Sequence, residues 1–238
     1  MHTDHFDGVV VTINGTTHYV DGTVPDKTLN TVSDYNSLLR DIINIPTIHK
    51  HYYSNLSREH WAQLCAAMDV VRDSQRAIDK FQKIGEINYN HGDSLYIYGL
   101  LNAFYLQQDA ATTIYKIILK EKELKYSDEY PEINKIRRIR DDVCHATDRN
   151  IKKGKIIAQI FMSPRTVTKH GFDYLKYTTS DGKRKIDTIH VDIDDCIAKQ
   201  AHDIKDILCT ICKKILSSIS PDVQKEYLES WSQAMEAL

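Results

Sequence analysis

Tyr130 to Asn150 reads YPEINKIRRIRDDVCHATDRN, and the way this stretch folds decides how the rest of the chain is read. Proline at 131 suits a first helical turn, where its missing N–H is not needed. Ile133, Ile136, Ile139 and Val143 recur at helical spacing and give one face to a core. At about 100° per residue, His145 falls nearly opposite that stripe and Arg140 sits at its edge. Asp141 precedes His145 by one helical turn, so its carboxylate can reach the imidazole and fix its tautomer. A histidine turned away from its own core, beside a carboxylate and several guanidiniums, suits an acid–base centre. The same spacing also describes an ordinary charged helix face in water.

Upstream, Asn90-His91-Gly92-Asp93 breaks the chain, and Asp93 or Ser94 caps a long helix expected to run to about Lys122. That helix is apolar on more than one side, as a central bundle helix is. Tyr96, Tyr98, Tyr105 and Tyr115 read as packing residues that are also capable of stacking on bases. Gly99, unfavourable in mid-helix, suggests close approach of another helix. Gln107, Gln108 and Asp109 form a polar cluster that either reaches solvent or bonds the motif helix.

Arg140-Asp141-Asp142-Val143-Cys144-His145, with Leu95 to Phe104 and Gln107 to Ala110 ahead of it, resembles the HEPN superfamily. That superfamily carries an Arg-polar-x-x-x-His signature, in general form Arg-x4-6-His, after a long helix. The two helices cover under a quarter of the chain. The residue after the arginine is often Asn in the family and is Asp141 here. The resemblance implies metal-independent RNA cleavage, as in HEPN toxins and phage-defence ribonucleases, with no cofactor. It also implies a homodimer whose motif helices share one cleft, and an antitoxin or other regulatory protein as a possible partner. It carries over Arg140, His145 and Asp141 as catalytic residues: His145 moving a proton, Arg140 holding the scissile phosphate, Asp141 orienting the imidazole. Arg138-x6-His145 fits the broad pattern too, and lies within about 20° of His145 on a straight helix. Arg140 is preferred because an arginine followed directly by a polar residue is the commoner form.

Between Lys135 and Lys155 there are eight Lys and Arg against three Asp, the most cationic region of a chain whose net charge is only -2. RNA binding is therefore expected from a local patch, with Arg137, Arg138, Arg149, Lys152 and Lys153 as substrate-binding residues.

The remaining sequence frames this pair of helices. Nine glycines and five prolines in 238 residues argue against a turn-rich all-β fold. Five cysteines without framework spacing read as reduced thiols of a cytoplasmic protein, and Cys209-x-x-Cys212 as an inert helical pair. No apolar run approaches the roughly 18 residues of a membrane span, and the first residues lack a signal peptide's basic and apolar regions. Val9 to Ile13 and Thr16 to Val20 flank Asn14-Gly15, a hairpin signal in an acidic segment, residues 1–32, that reads as an appendage. Ser33 or Asp34 caps a helix to about Ile45, stopped by Pro46, with a loop over Thr47 to Tyr53. His49-x-His51 in that loop lacks the further ligands that a metal site needs. Ser57, His60 and Trp61 open a helix to about Ile84. After the motif helix, strands at Lys155 to Met162, Phe172 to Tyr177 and Ile186 to Val191 form a meander that turns at Asp181-Gly182. A last helix runs from Asp194 or Asp195 to about Ser218, and Pro221 restarts it.

The expected fold is mainly α: a HEPN-like bundle over residues 33–238 with a three-stranded antiparallel insertion at about 155–192 and an N-terminal β-hairpin. The expected function is metal-independent endoribonuclease. The alternative is a catalytically silent HEPN-like module that binds a partner protein or nucleotide.

Overall fold

The computed structural model describes residues 11–13, 16–18, 31–87, 92–120, 124, 126–144, 151–152, 155–156, 158–180 and 183–217. The described chain is mainly helical, with a small three-stranded antiparallel sheet. It divides into two compact units, and three long helices each contribute residues to both.

The first unit spans Met1–Arg72, Ala110–Leu124 and Ile204–Leu238. Helix α1 (Val32–Asn44) starts on a reciprocal cap: the Thr31 hydroxyl accepts the Asp34 N–H, and the Asp34 carboxylate accepts the Thr31 N–H. Tyr35, Leu38, Leu39, Ile42 and Ile43 form its buried face. Pro46 ends α1 as expected but does not begin a loop. It occupies the first position of helix α2 (Pro46–Asn55), so the expected loop over Thr47 to Tyr53 is helical. The proline needs no N–H partner at that position, and its fixed φ suits the first turn. Helix α3 (Arg58–Gln82) opens where the Ser57 hydroxyl accepts the His60 N–H at 3.2 Å. Asn36 donates to the Met68 carbonyl at 3.0 Å, and Arg40 pairs with Asp69 at 2.7 Å, tying α1 to α3. Strands β1 (Val11–Ile13) and β2 (Thr16–His18) pair antiparallel, while the expected Asn14-Gly15 turn and the segment around it lie outside the described residues.

The second unit spans Asp73–Asp109 and Lys125–Asp203. It holds the end of α3, the first part of helix α4 (Ser94–Leu119), helix α5 (Pro131–Cys144) and the start of helix α6 (Ile193–Ser217). After two short paired strands, β3 (Ile151–Lys152) and β4 (Lys155–Ile156), come β5 (Ala158–Met162), β6 (Gly171–Ser180) and β7 (Lys183–Asp192). The last three form an antiparallel meander in the order β5-β6-β7. Ile160, Phe172, Tyr174 and Val191 point from one face of the sheet into a core with Ile97, Leu101, Phe104, Ile136 and Val143. A Cβ on Gly171 would stand 2.6 Å from the Val191 carbonyl oxygen, so only glycine allows the two strands to meet there. The chain passes from β7 directly into α6, and the Asp192 carboxylate accepts the Asp195 N–H at 2.9 Å. Among the described residues no helix is long and apolar enough to cross a membrane.

Candidate functional site

Helix α5 buries Ile133, Ile136 and Val143, as its spacing requires, and this turns Arg137 and Arg140, one turn apart, toward α4. Helix α4 presents Asn102, Tyr105 and Asp109 at the matching spacing. The Tyr105 ring lies under both guanidiniums, with its centroid 4.2 Å from Arg137 Cζ and 4.0 Å from Arg140 Cζ. Arg137 donates from Nη2 to Asp109 at 2.6 Å and from Nη1 to Gln108 Oε1 at 3.4 Å. Burial opposes its charge, but the Asp109 bond and the neighbouring charges outweigh that and hold its pKa above the ordinary arginine value.

Arg140 donates through Nε and Nη2 to Asn102 Oδ1 at 3.4 and 3.2 Å, and through Nη1 to Asp141 at 3.1 Å. Asn102 is oriented for this because its Nδ2 donates to the Tyr98 carbonyl at 2.8 Å. The Arg140 side chain is only 12% exposed. Of the five N–H donors a guanidinium carries, these contacts engage three.

The polar cluster on α4 does bond the motif helix, through Gln108 and Asp109. Gln107 faces the other way. Gln200 Nε2 donates to Gln107 Oε1, Gln107 Nε2 donates to Gln75 Oε1, and Gln108 Nε2 donates to Gln200 Oε1, each at 2.9 Å. This buried amide ladder satisfies its own members and backs the arginine pair.

The next residue of α5 turns to the sheet. Asp142 accepts the Tyr174 hydroxyl at 3.1 Å and the Lys176 ammonium at 2.9 and 3.1 Å. Burial, reinforced by the Asp142 charge, pushes the Tyr174 phenol well above the ordinary tyrosine range. Burial likewise raises the Cys144 thiol. Arg138 is exposed and has no hydrogen bond or ion pair among the described residues.

The structure thus brings Arg137, Arg140 and Asp141 into one cluster and leaves Arg138 facing water. His145, Arg149 and Lys153 lie outside the described residues, and Lys152 is described only as backbone of β3. Asn102 and Tyr105 were not singled out as partners of the motif arginines, although their spacing on α4 mirrors that of Arg137 and Arg140 on α5. The Asp142–Tyr174–Lys176 cluster left a weaker signal, the two-residue alternation that puts Tyr174 and Lys176 on one face of β6. Among the described residues Gly99 has no neighbour within 4 Å of an added Cβ, so none of the described helices approaches it closely.

The first unit has its own concavity, about 440 Å³, lined by Leu56, His60, Gln63, Thr113, Lys116, Ile117 and Lys120. His49 packs in α2 against Tyr53 and Trp61, with ring centroids 5.4 and 4.9 Å away. Among the described residues no group of three His, Cys, Asp or Glu side chains forms a metal-binding cluster. Cys209 and Cys212 are buried and form no disulfide, and burial pushes the Cys212 thiol far up.

No protein-family model, curated protein or solved structure matches the chain.

Proposed function

We propose that this chain is a HEPN-like endoribonuclease, with α4 and α5 as the helix pair of that fold and the N-terminal β segment as a hairpin appendage. It cleaves RNA without a metal, by attack of the 2′-hydroxyl, at a site shared by two copies. The observation that carries the reading is the anchored arginine. Tyr105, Asn102 and Asp141 fix the Arg140 guanidinium on the helix that precedes His145 in the sequence, with exposed Arg138 beside it. Arg140 keeps donors for a scissile phosphate, and its fixed orientation reduces reorganisation as charge grows on that phosphate. His145 moves the proton to or from the reacting oxygens. Arg137, committed to Asp109, positions Tyr105 and through it Arg140. Helix α4 supports a second copy: Leu95 and Leu106 are 73% and 51% exposed on the stretch that carries Gly99 and Asn102. An exposed apolar helix face with a glycine at its centre suits close approach by another helix.

The test is purified full-length protein on end-labelled RNA in EDTA. The expected products carry 2′,3′-cyclic phosphate ends, and His145→Ala loses roughly 100-fold or more in rate. Activity that needs added magnesium, or equal cutting of DNA, overturns the reading. A monomer in sedimentation at micromolar concentration removes the shared site.

A second reading rests on the same guanidinium. At 12% exposure, with three donors already engaged, Arg140 also suits a structural tie between α4 and α5 in a silent module that binds a partner protein or nucleotide. Under that reading Arg140→Ala lowers the unfolding midpoint, and RNA is left intact by wild type and variant alike.

A further inference from the structure

The face of the sheet turned away from the core is a feature that the cleavage reading leaves unused. Strand alternation puts Ile160, Phe172, Tyr174 and Val191 inward, and their neighbours outward. Across the middle of the outward face run Phe161 on β5, Tyr177 on β6 and Ile186 on β7. Ile186 is directly opposite Tyr177, and Phe161 is diagonal to it. Phe161 and Ile186 are 54% and 58% exposed, and the Phe161 and Tyr177 rings meet edge to face with centroids 5.7 Å apart. An exposed aromatic row on an open sheet is a surface prepared for contact.

The surrounding residues identify the partner. Gln159, Thr179 and Thr188 border the row with groups that donate and accept hydrogen bonds, and Arg184 adds an exposed guanidinium at the β6–β7 hairpin end. The nearest carboxylate of this face, Asp173, already accepts His190 at 2.7 Å. Stacking rings, polar groups for base edges and a guanidinium beside them make up the chemistry that binds unpaired bases on a phosphate backbone. Leu175, opposite Phe161, shares this face, and a duplex keeps its bases stacked away from such rings.

We infer that the outer face of the β5–β6–β7 sheet is a stacking platform for single-stranded nucleic acid, with Phe161 and Tyr177 as the base-contacting rings and Arg184 as a phosphate contact. The inference rests on the sheet alone. It goes beyond the cleavage site and would stand if the chain proved unable to cut RNA.

The test uses the full chain as the His145→Ala variant, so that binding is read without cleavage. Fluorescence anisotropy with labelled oligo(U) and oligo(dT) at two salt concentrations, with a duplex RNA as control, gives the affinities. Phe161→Ala is expected to weaken single-strand binding about tenfold, the usual effect of losing one stacked base. Phe161→Trp should retain the affinity, which separates stacking from a folding defect. Arg184→Ala should lower the slope of log affinity against log salt by about one. Tighter binding of oligo(U) than of oligo(dT) assigns the platform to RNA, and the reverse assigns it to DNA. Affinity unchanged in Phe161→Ala, absence of micromolar binding, or equal binding of the duplex overturns the proposal. A change in sedimentation without a change in oligonucleotide affinity also overturns it and makes the row a protein contact.

Discussion

Helix α5 is held on two sides by opposite chemistry. Toward α4 it offers cations, Arg137 and Arg140, to an aromatic ring and to the oxygens of Asn102, Gln108 and Asp109. Toward the sheet it offers one carboxylate, Asp142, to a phenol and an ammonium. On the carboxylate side the buried Tyr174 and the partly exposed Lys176 converge on a single group. On the arginine side Arg140 is only 12% exposed, but a planar cation stacked on a ring and bonded through three donors still has donors to spare. Residues two apart on one helix thus divide into a structural contact and one that keeps capacity for an anion.

The largest effect is expected from removing the ring. Each cation–π contact is worth about 0.5–2 kcal/mol, so Tyr105→Ala, which loses two of them and the packing of the ring, should destabilise by about 2–3 kcal/mol in urea unfolding. Tyr105→Phe keeps the ring face and should stay within about 0.5 kcal/mol of the parent. An alanine variant as stable as the parent would show that the oxygens alone hold the arginines.

Asp142→Ala is expected to destabilise less, by about 1–2 kcal/mol, because water can still reach part of Lys176 after the carboxylate has gone. If the two sides of α5 are independent, the Tyr105→Ala and Asp142→Ala effects add to within about 0.5 kcal/mol in the double variant. A larger departure would mean that α5 shifts as a body and that the two clusters form one unit.

Helix existence was legible because it rests on local periodicity. The isoleucine stripe of α5 predicted which face is buried, and Asp181-Gly182 between alternating runs predicted the pairing of β6 with β7. The start of α2 is not legible because Pro46 carries two meanings, stop for one helix and first residue of the next, and only packing decides between them. Partners across helices were harder. Gln108 and Asp109 stood out as polar residues inside an apolar run, so their bonds to α5 could be anticipated. Tyr105 looks like any packing tyrosine until the two arginines are placed over it, and Asp142 meets Tyr174 and Lys176 only through the meander. Arg138 and Arg140, equally eligible by spacing, separate only once burial is known.

The N-terminal end of α5 gives a pH test. Glu132 accepts bonds from Lys135 and from Lys199 at 3.0 Å, and these bonds hold its carboxyl below the ordinary value. The pair therefore contributes stability above the ordinary glutamate pKa, and that contribution is lost as pH falls through the lowered one. Glu132→Gln should narrow the stability difference between neutral and acid pH by a small amount, since the group is exposed and salt-screened. An unchanged pH profile would leave α5 held by its middle alone.

The smallest effect on stability is expected at Arg138, and it sharpens the comparison most. Its side chain is exposed and has no partner among the described residues, so Arg138→Ala should leave unfolding within about 0.5 kcal/mol of the parent. Arg140→Ala should instead destabilise, since Asn102 Oδ1 and the Tyr105 face lose their cation. On RNA the order reverses if Arg138 contacts phosphate: Arg138→Ala then lowers the salt slope by about one while folding is untouched. Single-turnover cleavage separates the two arginines further. If Arg140→Lys folds and still cuts while Arg138→Ala folds and does not, the reacting phosphate is held by the exposed arginine. Arg140 is then the residue that fixes the helix presenting it. If Arg138→Ala cuts at the parental rate once RNA is saturating, the phosphate belongs to Arg140, and the arginine side of α5 is the working one.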